Sequence, residues 1–140
     1  MNPLQKNQNI FPKLETYLKA LQEQKTCPKV GGALHTALPQ RGVFPAVPRI
    51  IAIGDVHGDF DILARALYKA NIMNRDGHWI ASNTMVIQVG DLLDGGGRYM
   101  GDATDNYREE IDILMLIEHL NKQASAEGGA FLNLIGNHEL

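Results

Sequence analysis

Three times along the chain a short apolar run ends in a glycine followed by a small polar residue. The copies are Ile50-Ile51-Ala52-Ile53 before Gly54-Asp55, Met85-Val86-Ile87-Gln88-Val89 before Gly90-Asp91, and Phe131-Leu132-Asn133-Leu134-Ile135 before Gly136-Asn137. Short, nearly continuous apolar runs suit strands buried in a parallel sheet, so each is expected to be a strand with a polar residue at its carboxyl end. Between the first two, Asp59 can cap a helix over 60–71 whose apolar side carries Ile62, Leu63, Ala66, Leu67 and Ala70. Asp76-Gly77 then marks a turn, and Trp79-Ile80 reads as a short extra strand. Before the third run, Asn106 and Glu109 have capping-box spacing and open a helix with Ile111, Leu114, Met115, Ile117 and Leu120 on its apolar side. Alternating strands and helices predict an α/β fold, a layered sheet with flanking helices.

Upstream, Phe11, Leu14, Tyr17, Leu18 and Leu21 recur at spacings of three and four, which predicts an amphipathic helix over 12–23 that packs on a partner surface. Residues 25–48 hold Pro28, Gly31, Gly32, Pro39, Gly42, Pro45 and Pro48 and read as an irregular connector. The expected organisation is therefore an N-terminal helix and Pro/Gly-rich connector over 1–48 and a catalytic domain beginning near Arg49 and running over 49–140.

Composition narrows the class. With 140 residues, 44% hydrophobic and 21% charged, the chain has the size and balance of one domain with a buried core. A formal net charge of -3 offers no basic surplus to attract a phosphate backbone, so nucleic acid is not an expected partner. Cys27 is the single cysteine, which rules out an intrachain disulfide and a four-cysteine zinc site and suits a reducing, cytoplasmic compartment. The polar opening Met1–Asn9 does not read as a signal peptide, and no apolar run approaches the ~20 residues that span a bilayer, so no membrane is expected.

The strand ends carry the chemistry. In layered α/β sheets ligands gather at the carboxyl ends of the strands, where all three Gly-Asp or Gly-Asn pairs would emerge. A phosphate ester resists hydrolysis because its negative oxygens repel the nucleophile, and two metal ions can neutralise that charge and activate water. Such ions take carboxylate, amide and imidazole ligands, and Asp55, His57, Asp91 and Asn137 supply them. The set suits manganese, iron or zinc. Asp91, on the middle motif, is the candidate to bridge two ions. Gly-Asp after an apolar strand is commonly only a turn with a solvated carboxylate, so it is the three motifs together that point to metal binding.

The motifs Gly54-Asp55-Val56-His57-Gly58, Gly90-Asp91-Leu92-Leu93-Asp94-Gly95-Gly96 and Gly136-Asn137-His138-Glu139 resemble, in order, those of the calcineurin-like metallophosphoesterases, and within them the phosphoprotein phosphatases. The resemblance covers roughly Arg49 to Leu140 and implies the first half of that family's β-sandwich. It further implies that Asp55 and His57 hold one metal, Asp91 bridges, Asn137 holds the second, and His138 protonates the leaving group. Asp94 is similar to the acid that orients this histidine, and Glu139 takes a supporting role.

Two departures bear on function. In the protein serine/threonine phosphatases an arginine follows the acid equivalent to Asp94 and another precedes the glycine of the third motif; here those positions hold Gly95 and Ile135. The altered motifs look more like the bacterial-type, Shewanella-like branch, or simpler phosphoesterases, than the eukaryotic protein phosphatases. Arg98, across the Gly95-Gly96-Gly97 hinge, is the remaining candidate for phosphate contact. The family also draws metal-binding histidines from strands further downstream, and His35, His78 and His119 do not stand at strand ends. The chain is thus expected to be the amino-terminal part of a phosphatase, holding at most one metal weakly and open to association with the missing C-terminal half. The implied activity is metal-dependent hydrolysis of phosphomonoesters, on a phosphoprotein or a small molecule. The alternatives are a nucleotide or dinucleoside polyphosphate hydrolase, or a non-catalytic metal- or phosphate-binding remnant.

Overall fold

A computed structural model of the chain describes residues 11–23, 44–95 and 106–140. In chain order the elements are α1 (Pro12–Glu23), β1 (Arg49–Ile53), α2 (Phe60–Lys69), β2 (Thr84–Gln88), α3 (Asn106–Ala126) and β3 (Ala130–Asn133). All three apolar runs form strands, joined in one parallel sheet of order β1-β2-β3. The register aligns Ile51 with Val86 and Val86 with Phe131. Those side chains share one face of the sheet with Ile53, and the helices pack on that face. The ladder continues past the strands, since Val89 N donates to Ile53 O at 2.9 Å and Leu134 N to Gln88 O at 2.8 Å. This carries all three chains to their glycines along one edge of the sheet.

Helix α2 starts where the capping residue predicts: the Asp59 carboxylate accepts from Ile62 N at 2.9 Å. Leu63, Ala64 and Leu67 are fully buried beneath it, while Ile62 stays exposed. Its other end is held by the guanidinium of Arg49, which donates to Ala70 O at 2.5 Å and puts a cation where the helix dipole favours one.

On α3 the buried side differs from the expected one. Ile113, Leu116, Ile117, Leu120 and Ala124 enter the core, whereas Ile111 and Leu114, expected on the apolar side, are 52% and 47% exposed. Residues 111–117 read Ile-Asp-Ile-Leu-Met-Leu-Ile, apolar almost all round, so periodicity alone leaves the core face open there. The contact with β3 and α2 decides it.

Trp79 and Ile80 do not extend into a strand; a single antiparallel bridge joins Met73 to Trp79. The buried Trp79 satisfies its indole N–H on Ser82 O at 3.0 Å, and its backbone N–H on the Gln123 side chain at 2.7 Å. Helix α1 buries Leu14 and Leu18, and Phe11 just before it, in the same core as the sheet and the other helices. Among the described residues no helix is long and apolar enough to cross a membrane. His35 and Cys27 lie outside the described residues.

The face assignment of α3 is checked by substitution. Leu116→Ala should lower the unfolding free energy by about 2–5 kcal/mol in urea titrations, the range for emptying a fully buried leucine site. Leu114→Ala, at the same chemistry on the outer side, should stay within about 0.5–1 kcal/mol.

Candidate metal centre

The three loops that leave the strand ends are laced together by backbone bonds. Asp91 O accepts from both Val56 N (2.9 Å) and His57 N (3.0 Å), and Leu92 O accepts from Gly58 N (2.9 Å). Beneath them Gln88 is completely buried; its side-chain oxygen accepts from Gly90 N at 3.0 Å, and its amide donates to Gly90 O at 2.6 Å and Gly54 O at 3.3 Å. Gly90 has φ +107°, and a Cβ there would meet the Gly136 backbone at 2.7 Å, so the second and third motifs touch main chain to main chain. His57, Asp91 and Asp94 also lie in the left-handed region, at φ +50°, +51° and +64°. Each such non-glycine residue costs about 1–2 kcal/mol, and strain of this kind collects at functional sites.

One ligand atom each from His57, Asp91 and His138 lies within 4.8 Å of the other two. The rings of His57 and His138 meet edge to face with centroids 4.9 Å apart. Both nitrogens of His57 are buried without a hydrogen-bond partner, which ordinarily costs free energy; a cation could take the lone pair of the unprotonated one in place of water. Asp91 is buried, with one carboxylate oxygen accepting from His138 N at 3.0 Å. His138 Nδ1 lies 2.7 Å from Asp94 Oδ2; a carboxylate has no proton to give, so Nδ1 is the donor and Nε2 is left for other work.

The remaining predicted residues sit as follows. Asp55 follows β1 with its side chain 62% exposed and Oδ2 3.8 Å from His57 Nε2, outside the three-atom group. Like charge on Asp55 and Asp91 opposes their closer approach unless a cation screens it. Asn137 is exposed on the turn after β3. Asp59 caps α2 and takes no part. Arg98 and the Gly96-Gly97 part of the hinge lie outside the described residues. His78 and His119 stand together elsewhere, ring centroids 6.3 Å apart, beside Lys13 and Asp76. Gly95, where the serine/threonine phosphatases carry arginine, is pressed against the first loop: a Cβ would meet His57 O at 2.8 Å, and Gly95 N donates to the Glu110 carboxylate of α3 at 3.1 Å.

The family model for calcineurin-like phosphoesterases matches residues 48–140. The chain belongs to this family. Among its relatives, Shewanella-like protein phosphatase 2 of Arabidopsis thaliana is 38% identical over 97 residues, covering 69% of this chain and 22% of that protein. Shewanella-like protein phosphatase 1 of Plasmodium berghei is 31% identical over 91 residues, covering 65% and 22%. Of solved structures, the cold-active protein-tyrosine phosphatase of a psychrophilic Shewanella species superimposes with a TM-score of 0.53 at 31% identity, over 64% of this chain and 24% of that one. The chain spans about a quarter of the length of the curated relatives it matches.

One residue of this calcineurin-like centre was underweighted by motif reading. Glu139 accepts four backbone N–H groups: Asp91 at 2.9 Å and Gly136 at 2.7 Å on one oxygen, Leu92 at 2.7 Å and Leu93 at 3.0 Å on the other. Burial works against its charge, but the amides of Leu93, Gly136, Asp91 and Leu92 outweigh it and hold the carboxyl below its ordinary range. A carboxyl depressed on folding contributes stability that is present above its unfolded pKa of about 4.3 and lost as pH falls through the folded value. Glu139→Gln should therefore be less stable than wild type in denaturant titrations at pH 7, and the gap should narrow as the pH is taken below about 4.3. A gap independent of pH would assign the loss to shape and not to charge.

Proposed function

We propose that the protein is a metal-dependent phosphoesterase acting on phosphomonoesters, with a phosphoprotein as the first substrate class to test. The observation that carries the reading is the convergence of His57, Asp91 and His138, with both nitrogens of His57 buried and unpartnered. Family membership and relatives named as phosphatases support it. The donor set fits a metal: Asp55 and His57 would hold one ion, Asp91 would be shared, and Asn137 would serve a second. Mixed nitrogen and oxygen donors favour manganese, iron or zinc. When bound, such ions neutralise phosphate charge and supply activated water.

This chain's own residues do the rest. Asp94 fixes the His138 tautomer with Nδ1–H, which leaves Nε2 to carry the proton that the departing oxygen needs. The edge-to-face contact with His57 restricts the ring further. Substrate recognition is proposed to extend to phosphotyrosine, as in the Shewanella relative's name. A cytoplasmic setting is proposed on the lone Cys27. Taken by itself, the 140-residue chain is proposed to retain at most one cation, weakly.

The test is release of phosphate from a generic aryl phosphate with added manganese. Asp91→Asn should cut kcat/KM and metal retention by at least the 10–100-fold that even residues supporting a metal ligand command. Asp59→Asn should leave both near wild type, because asparagine caps a helix nearly as well. Equal, small effects from the two changes would refute the assignment.

A further inference from the structure

We infer that Glu139 is a positioning residue that, together with Asp91, clasps the second and third loops and so presets the spacing of Asp91 and His138. The inference deepens the metal-centre reading and rests on it for its consequence, but not for its geometry.

The clasp is reciprocal. From the third loop, the Glu139 carboxylate reaches across to three consecutive amides of the second loop, Asp91, Leu92 and Leu93, and closes its own turn through Gly136 N. From the second loop, Asp91 Oδ1 returns the connection by accepting from His138 N. Each loop thus supplies a carboxylate to the other's main chain. Four N–H dipoles aimed at one carboxylate make a nest of the kind that binds anions, here filled from within the chain. Charge-assisted bonds are stronger than neutral ones, which suits a clasp that must hold two left-handed residues, Asp91 and Asp94, in place. The bond from His138 N ties up one oxygen of Asp91 and thereby orients the other.

Gln at 139 tests this because it keeps the size and loses the acceptor pair. Its carbonyl oxygen can still take two amides, but its NH2 group faces two donors, so half the nest is broken. The first measurement needs no metal: nitrogen–proton spectra of the 140-residue chain, wild type against Glu139→Gln and Glu139→Ala. Expected are upfield shifts of the amide protons of at least two of Asp91, Leu92, Leu93 and Gly136, with displacement or loss of the resonance of the His138 Nδ1 proton that Asp94 accepts. Far-UV circular dichroism should be unchanged. The second measurement is manganese titration of the same three proteins, with Glu127→Gln, on an exposed turn, as the control for removing one negative charge. Affinity should fall 10–100-fold in both Glu139 variants, as for residues that orient metal ligands, and by less than twofold in the control.

If the spectra of both Glu139 variants keep the four amide positions and the His138 proton, the inference is overturned. Loss of the far-UV signal in both variants overturns it too, by assigning Glu139 to the fold at large. A wild-type chain that holds no manganese would agree with the weak retention proposed for it, and the amide and His138 signals would then decide the clasp.

Discussion

The main-chain contact between Gly90 and Gly136 is the constraint on which the site depends. A parallel sheet delivers its strand ends side by side, about 4.8 Å apart, which is too far for short side chains on one loop to share atoms with the next unless the loops lean together. They lean together here because neither glycine carries a Cβ: one on Gly90 would strike Gly136 Cα, and one on Gly136 would overlap the Asp91 amide and carboxylate. Once the backbones touch, the Asp91 carboxylate is within reach of His138 N and the Glu139 carboxylate is within reach of Asp91 N. The first loop joins through the two amides that converge on Asp91 O. Asp91 is therefore the node of the site through its amide, its carbonyl and its carboxylate alike.

This lacing offsets strain. Three residues of the centre occupy left-handed backbone without being glycine, at a combined cost of several kcal/mol by the usual scale. Each of those peptides is tied to another segment: His57 N to Asp91 O and Asp91 N to Glu139 on neighbouring loops, and Gly95 N, next to Asp94, to Glu110 of α3. Gln88 adds a buried amide below, with both ends of its side chain engaged. The strained conformations turn side chains that would otherwise follow the strand direction toward one point, which is where His57, Asp91 and His138 meet.

The sequence was most legible where one physical demand acted alone. A strand packed under helices needs an apolar run, and a sharp exit needs glycine, so the three strands, their parallel arrangement and the shared edge could be read directly. The Asp59 cap was legible for the same reason. Legibility failed where demands overlapped. Between Ile111 and Ile117 almost every residue is apolar, and only packing against β3 and α2 selects Ile113, Leu116 and Ile117 over Ile111 and Leu114. Ile50 at 60% exposure, with Ala52 also exposed on the sheet face away from the helices, shows that an apolar run marks a strand without saying which faces are covered. At the site, the family resemblance paired Asp94 with His138, but nothing in a motif shows that Glu139 faces amides and not metal, because a carboxylate serves either purpose.

The glycine in place of arginine at position 95 follows from the same close approach. Any side chain at 95 begins with a Cβ, and here that atom would sit 2.8 Å from the carbonyl oxygen of His57. Making room would push the first and second loops apart. That movement strains the bonds of Val56 N and His57 N to Asp91 O and of Gly58 N to Leu92 O, which hold His57 against Asp91. A guanidinium at 95 therefore requires the His57 carbonyl to shift on this backbone. On the proposed phosphoesterase reading, a positive charge that meets the phosphate in this chain would have to come from a segment other than position 95, where the first two loops pack tightly.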